Sequence, residues 1–351
     1  MSFSACLRRD FGEDRWNDLV DRFDEAWLWH RSEFRESVDF RFEQADHSFV
    51  VLDEAQAPLA IMPLRLTHYR ALRVIPVRTL RSIGGPATAN GLGAKLRRRI
   101  LGFVHEHLLA LASRLGVTDI EMSCPPMAPA LRGERCPRTN PLAWVGCSGD
   151  LAHSWVVDLR RPEEAIRKAY ASGTREELHR FRREPFDIRS DPGAAGGGTE
   201  IFHELLVATF RRRGLRPHSL GYIRHIFDAF VSRGLARAMF LVRDGEVVAG
   251  NITAIYKGGA QYWFGASRYD RMGGANRMLV DRQIMDARAG GIEFFETGQA
   301  CLWGDDQPLR GISDFKRSFG ADLYPLFQGT IITRPKLHAS LQVLEAFRQP
   351  R

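Results

Sequence analysis

The chain has 351 residues, enough for two domains at roughly 150 residues each. With 44% hydrophobic and 26% charged residues it has the balance of a folded globular protein, which excludes a mainly disordered or fibrous chain. The net charge is +8, and the basic residues are nearly all arginine, since lysine occurs only at positions 95, 168, 257, 316 and 336.

Residues 1–46 are helix-prone, with Trp16, Leu19, Phe23, Trp27 and Phe34 along one stripe that core packing explains. Phe49–Leu52 and Leu59–Leu64 flank a polar break and predict a hairpin. From Ala55 to His105 there is no acidic residue, while Arg65, Arg70, Arg73, Arg78, Arg81, Lys95, Arg97, Arg98 and Arg99 bring +9. Such a stretch is either a field that attracts phosphates or a solvated arginine-rich surface. Arg97, Arg98 and Arg99 would be consecutive on a helix and point three ways, so they cannot all serve one ligand.

Thr79–Ile83 alternates as a strand and ends at Gly84-Gly85. A long helix follows, with Leu96, Ile100, Phe103, Val104, Leu108, Leu111 and Leu115 on one face. Gly116 ends it, and Asp119–Ser123 is the next strand. His105 and His107 lie within that helix at a spacing that turns them apart, so they predict no metal site. Five cysteines without a CxxC pair predict neither a disulfide framework nor a cysteine-rich metal centre. No run reaches the ~20 apolar residues of a membrane span, and Met1 to Trp16 has no signal-peptide stretch. A reducing, cytoplasmic setting is the expectation.

Beyond a Pro-, Cys- and Gly-rich linker, His153–Leu159 reads as a strand and Glu163–Arg183 as a charged helix. Asp191–Gly198 is a glycine-rich loop, and Ile201–Phe230 predicts two helices broken around Gly214–Gly221. Strands are then predicted at Met239–Val242, Val247–Tyr256 and Ala260–Phe264, with Asp244-Gly245 as a hairpin turn. A glycine loop at Met272–Ala275 opens a helix, Gly290-Gly291 ends it, and Ile292–Phe295 is a strand. The order hairpin, strand, glycine loop, helix, glycine stop, strand therefore occurs twice, which predicts a duplicated unit. The expected class is α/β: two domains, each a mixed central sheet flanked by helices, over 1–130 and 151–335. A linker at 131–150 and a helical tail at 336–351 complete the expectation.

The unit resembles the GNAT acyltransferase fold, in which a glycine loop and helix N-terminus receive the donor's pyrophosphate. Gly273-Gly274-Ala275 fits that loop, whereas Asp270 stands where the family has Gln or Arg. Gly311-Ile-Ser-Asp-Phe-Lys-Arg-Ser-Phe-Gly320 resembles the FKxxFG element of the FemAB-like proteins, which are tandem GNAT proteins. His153–Leu159, Thr174-Arg175 and the T-x-x-R-x-G segment Thr209–Gly214 agree in order. The resemblance implies transfer of an acyl or aminoacyl group from a phosphate-rich carrier, aminoacyl-tRNA or acyl-CoA, to an amine. It implies as partners a small-molecule or cell-envelope precursor acceptor and the acceptor end of a tRNA, with no tightly bound cofactor. An alternative is a catalytically silent protein that holds a nucleotide-linked glycan precursor.

Direct attack by an amine needs alignment, a proton acceptor and oxyanion stabilisation, but no nucleophilic serine or cysteine. Lys316 is the expected catalytic cation, because a rare lysine between Phe315 and Phe319 suggests a compact point charge. Its alternative is a surface lysine snorkelling past two aromatics. Glu296, at a strand exit, is the expected base; its alternative is a solvent-facing glutamate. The resemblance assigns Gly273, Gly274 and Asn276 to the donor loop. Arg212, Arg175, Arg70, Arg73 and Phe319 are the expected substrate-binding residues.

Overall fold

The computed structural model describes residues 2–36, 44–71, 75–149, 152–190, 197–268, 274–303 and 307–346. The chain divides into two units: the first runs to Ala152 and includes the stretch from Leu326 onward, and the second is His153–Pro325.

In the first unit, the strands Ser4–Leu7, Phe49–Leu52, Pro58–Met62 and Ala87–Thr88 form one antiparallel sheet in that order. The predicted hairpin is its centre, and every side chain of Phe49–Leu52 is buried. A second sheet pairs Phe327–Ile332 with Asp119–Cys124, then Ile75–Ile83, Arg65–Ala71 and Gln44–Asp46. Thr79–Ile83 runs parallel to Asp119–Ser123. The intervening crossover is the helix Ala94–Leu115, which buries Ile100, Leu101, Val104, Leu108 and Leu111. Gly116 stops that helix in the left-handed region, at φ 67°, where a side chain is strained.

The N-terminal aromatic stripe is core: Trp16, Phe23 and Trp27 are buried, and Trp16 Nε1 donates to His30 O at 2.6 Å. Two expectations about domain limits change. The linker expected at 131–150 is, over its described residues 131–149, not free, because short 3-10 turns bury Leu131, Leu142 and Val145 in the first unit. The C-terminal part of the strand Asp322–Ile332 also belongs to the first unit, since its ladder partner is Asp119–Cys124.

The second unit has one sheet, in the order Asp187–Ser190, Ala236–Arg243, Glu246–Tyr256, Gly259–Ser267, Phe294–Gln299, Ala152–Asp158. The turns at Asp244-Gly245 and Lys257-Gly258 have positive φ at both residues, matching the twist of the strands they join. Among the described residues of this sheet, Gly259–Ser267 and Phe294–Gln299 are the parallel pair, and the helix Ala275–Ala289 lies between them in the chain. Buried Asp281 on that helix accepts from Arg167 at 2.7 Å and Arg182 at 2.9 Å, which fastens it to the helices Glu163–Ala169 and Ser172–Phe181. These two helices replace the single one expected over Glu163–Arg183, because Tyr170 and Ala171 are extended. The broken pair predicted over Ile201–Phe230 is Gly198–Arg212 and Leu220–Ile226, the latter running on into a π turn. The loop residues 191–196 lie outside the described residues. No helix among the described residues is long and apolar enough to cross a membrane.

Candidate active site

The parallel pair in the second unit holds together over a short distance. Gly259, Ala260 and Gln261 pair with Phe294, Phe295 and Glu296, and beyond them the two strands part. Glu296 is thus the last residue of its strand in the ladder with Gly259–Ser267. On its other side the same strand pairs with Ala152–Asp158, with an irregularity between Glu296 and Gly298.

Glu296 is 2% exposed, so the expected alternative of a solvent-facing glutamate falls. Ser154 Oγ donates to its Oε1 in a short hydrogen bond, while Oε2 is buried with no partner. Burial pushes the Glu296 pKa up to about 7, against the opposing pull of the Ser154 hydrogen bond and the Lys316 charge. A carboxylic acid is ordinarily ionised well below this pH, so the surroundings have made Glu296 a group that exchanges a proton near neutrality.

Lys316 closes the helix Gln307–Arg317. Its Nζ donates to Gln299 O at 3.3 Å. Burial lowers its pKa, opposed by Glu296 and assisted by Arg213. Gly298 lets the ammonium reach that position. Its φ is 116°, and a Cβ there would stand 2.8 Å from Lys316 Nζ. Thr297 Oγ1 lies 3.1 Å from Lys316 O and 3.2 Å from Trp155 O, tying the end of the helix to the sheet. Ser313 fastens the helix one turn earlier, accepting from Trp155 Nε1 and from Cys301 N, both at 3.0 Å.

Beside the parted strands lies a cavity of about 330 Å³ lined by Thr209, Arg212, Arg213, Gly265, Ser267 and Asn276. Arg212 donates to Ser267 O at 2.7 Å, so the arginine of the T-x-x-R-x-G segment fastens a strand end while lining the cavity. Asn276 Nδ2 donates to Tyr262 Oη at 3.2 Å, and Asn276 Oδ1 is buried and unpartnered. Tyr262 lies across Gly265, where a Cβ would collide with its hydroxyl. Burial raises the Tyr262 pKa to about 12, which keeps the phenol protonated.

The remaining expected residues separate. Gly274 is the cap of the helix Ala275–Ala289, with φ 99°; Gly273 and Asp270 lie outside the described residues. Arg175 is not placed for a substrate, because its guanidinium donates to Lys168 O at 2.7 Å and Tyr170 O at 2.9 Å at the break between two helices. Phe319 is fully buried and packs edge-on against Tyr170 and Phe315, so it is core rather than a substrate contact. Arg73 and the side chain of Arg70 lie outside the described residues.

The +9 stretch is partly neutralised in space: Arg81 pairs with Glu121 at 2.9 Å and Arg97 with Glu25 at 2.5 Å. Arg98 lies over Trp144 and Arg99 over Phe3, so the three consecutive arginines do point three ways. Sequence reasoning missed Ser154, Thr297, Gly298, Tyr262 and Ser313. Of these only Gly298, a glycine two residues after Glu296 where the strand is read to end, left a readable sign.

Residues 165–317 match the family described as acetyltransferase (GNAT) domain. The fold is similar to the crystal structure of FemX, with a TM-score of 0.73 at 11% identity, covering 96% of this chain and 99% of that one. It is also similar to a tandem GNAT protein from the clavulanic acid biosynthesis pathway, with a TM-score of 0.55 at 15% identity, covering 95% and 99%. A third similar structure is the C-terminal domain of a putative lysylphosphatidylglycerol synthetase from Agrobacterium fabrum, at 0.57 and 15%, covering 95% and 94%. No curated protein matches the sequence. Residues 165–317 thus match an acetyltransferase (GNAT) domain, and the chain shares the fold of FemX and of a tandem GNAT protein.

Proposed function

We propose that the second unit transfers an acyl or aminoacyl group from a phosphate-rich carrier, aminoacyl-tRNA or acyl-CoA, to an amine acceptor by direct attack in a ternary complex. The observation that carries this reading is Glu296: a buried carboxylate with a free Oε2, at the point where the parallel strands part, electrostatically coupled to Lys316. An ionised Glu296 Oε2 accepts a proton from the attacking amine. Its raised pKa makes the carboxylate a stronger base than an exposed glutamate while leaving it available near neutral pH. The Lys316 ammonium supplies the positive charge toward which the carbonyl oxygen develops its own negative charge. Ser154 keeps one oxygen of Glu296 occupied, while Oε2 has no protein partner and is the atom that takes the proton. The amine loses one proton to Glu296 as its bond to the acyl carbon forms. The carrier leaves with the electron pair of the broken ester or thioester bond, and Glu296 can return the proton to it.

Acceptors of the cell-envelope precursor class suit this reading, in line with the FemAB-like fold. The test is an acyl-transfer assay with each carrier, followed by mass spectrometry of the acceptor. Transfer by the wild-type protein and its loss in Lys316→Met and Glu296→Gln support the proposal. Undiminished transfer in both variants removes these residues from the mechanism. Absence of transfer by the wild type with either carrier favours the silent-binding alternative.

A further inference from the structure

The buried centre of the strand Glu246–Tyr256 carries an asparagine among apolar neighbours. Asn251 is 0% exposed, and neither atom of its side-chain amide has a partner among the described residues. A buried amide left unpaired gives up its hydrogen bonds to water with nothing in return, so each one calls for an explanation. Its place in the sheet supplies one. Asn251 pairs in register with Gly265, which lines the cavity of about 330 Å³. A Cβ at Gly265 would stand 3.2 Å from Asn251 Oδ1, and the Tyr262 hydroxyl occupies the same space. The amide, the hydroxyl and the cavity wall therefore meet over one glycine. Asn276, also in the wall, donates from Nδ2 to that hydroxyl and keeps a buried, unpartnered Oδ1. Both asparagines and the Tyr262 hydroxyl hydrogen thus retain hydrogen-bonding capacity beside the cavity. The polar row continues along the same two elements. Thr253 Oγ1, on the same strand face, and both amide atoms of Gln283, two turns beyond Asn276, are buried without partners as well. Around them the layer is apolar, with Ala249, Met278, Leu279 and Ile284 in the core.

We infer that Asn251, with Asn276 and Tyr262, is a specificity residue that selects an acyl group carrying a hydroxyl. A hydroxyl both donates and accepts, so it can meet an amide oxygen and an amide or phenol hydrogen at once, whichever way either amide is turned. An alkyl chain of the same length would fill the space and leave these polar groups unpaired. The acyl group is the small member of the reaction, and so the one that a fully buried side chain can meet. Carrier and acceptor extend beyond a cavity of this volume. The inference rests on the acyl-transfer reading but concerns the acyl group, not its carrier.

The test compares transfer of acyl groups that differ by one hydroxyl, with the acceptor held constant. The pairs are 3-hydroxybutyryl against butyryl on CoA and seryl against alanyl on tRNA. The full-length wild type is expected to favour the hydroxylated member at least about a hundredfold in kcat/KM. Asn251→Leu, similar in shape but apolar, should bring that ratio to within about threefold. Asn251→Thr, which returns a hydroxyl to the same strand position, should regain part of the preference. A merely structural Asn251 would slow both members alike and leave the ratio unchanged. Thermal melts check that each variant is folded. A carrier-free measurement separates this inference from the acyl-transfer reading. Methyl 3-hydroxybutyrate should move the side-chain amide NMR signals of Asn251, which are identified by their loss in Asn251→Leu, and methyl butyrate should not. That shift without any transfer would fail the acyl-transfer reading and keep the hydroxyl subsite. Equal kcat/KM within the pairs, or no difference between the two esters in the NMR measurement, would overturn the inference.

Discussion

The two units contain the same crossover, a strand, a helix and a parallel strand, yet the parallel ladder is longer in one than in the other. In the first, Thr79–Ile83 and Asp119–Ser123 stay paired through five residues. The seam is then sealed: Gly84 N donates to Ser123 O at 2.7 Å, and His30 Nε2 meets Gly85 O at 3.1 Å. The Cys124 thiol fills the space beside Gly85, where a Cβ would lie 2.8 Å from its sulfur. In the second, pairing ends after three residues, at the buried Glu296, whose carboxylate interacts with the Lys316 ammonium. A continuous ladder keeps its backbone groups satisfied. Buried polar atoms without a protein partner occur at both seams, Ser82 Oγ and Asp119 Oδ1 at the first and Glu296 Oε2 at the second, but only the last belongs to a carboxylate whose pKa is raised to about 7.

Substitutions can sharpen this contrast. The largest expected effect is on Glu296→Gln, which should lower turnover by ~10²–10⁴-fold if the carboxylate is the base. Activity of the wild type should fall as the pH drops through about 7 and Glu296 takes up its proton. Stability should move the other way. A pKa raised from 4.5 to about 7 means that the folded state binds this proton more tightly than the unfolded chain. The group's contribution is then fully present below pH 4.5 and is lost as the pH rises through about 7. Glu296→Gln should therefore melt higher than the wild type at pH 8, with the gain shrinking toward pH 5. A pH-independent difference in melting temperature would show that Glu296 is not held in this state.

Lys316→Met, similar in volume but uncharged, is expected to lower turnover by ~10–1000-fold with the fold intact, as circular dichroism and single-turnover transfer would show. Next come two glycines, one in each unit. Gly298→Ala and Gly85→Ala both place a side chain at positive φ and against a neighbour, the Lys316 ammonium in one and the Cys124 sulfur in the other. Each should cost ~1–3 kcal/mol in denaturant unfolding, but only Gly298→Ala should also reduce turnover. Equal losses of activity would erase the distinction between the two seams. The smallest effect belongs to Arg81→Gln, whose partner Glu121 is as exposed as Arg81 itself. Such a pair contributes ~0–1 kcal/mol, so melting should barely change.

Much of this molecule is legible from local chemistry. The helix Ala94–Leu115 and its Gly116 stop follow from apolar spacing and from a left-handed position that suits glycine. The two positive-φ turns at Asp244 and Lys257 follow from residues that tolerate that conformation. Lys316 and Glu296 could be singled out because a scarce residue type and a strand exit are properties of the chain itself. The places of Phe319, Arg175 and residues 131–149 are not legible in the chain alone, because burial and carbonyl capping depend on what packs against them.

What the sequence determined by itself was periodicity: which segments are strands and helices, where glycines stop them, and that the same order occurs twice. Only the tertiary structure decided that Glu296 is buried, that Ser154, from a strand far away in sequence, holds one of its oxygens, and that Gly298 gives Lys316 its path. The physical reason is range. Backbone preference and hydrophobic spacing act within a few residues. A shifted pKa is set by the solvent excluded and the charges gathered around one atom by segments more than a hundred residues apart, such as Ser154 and Glu296.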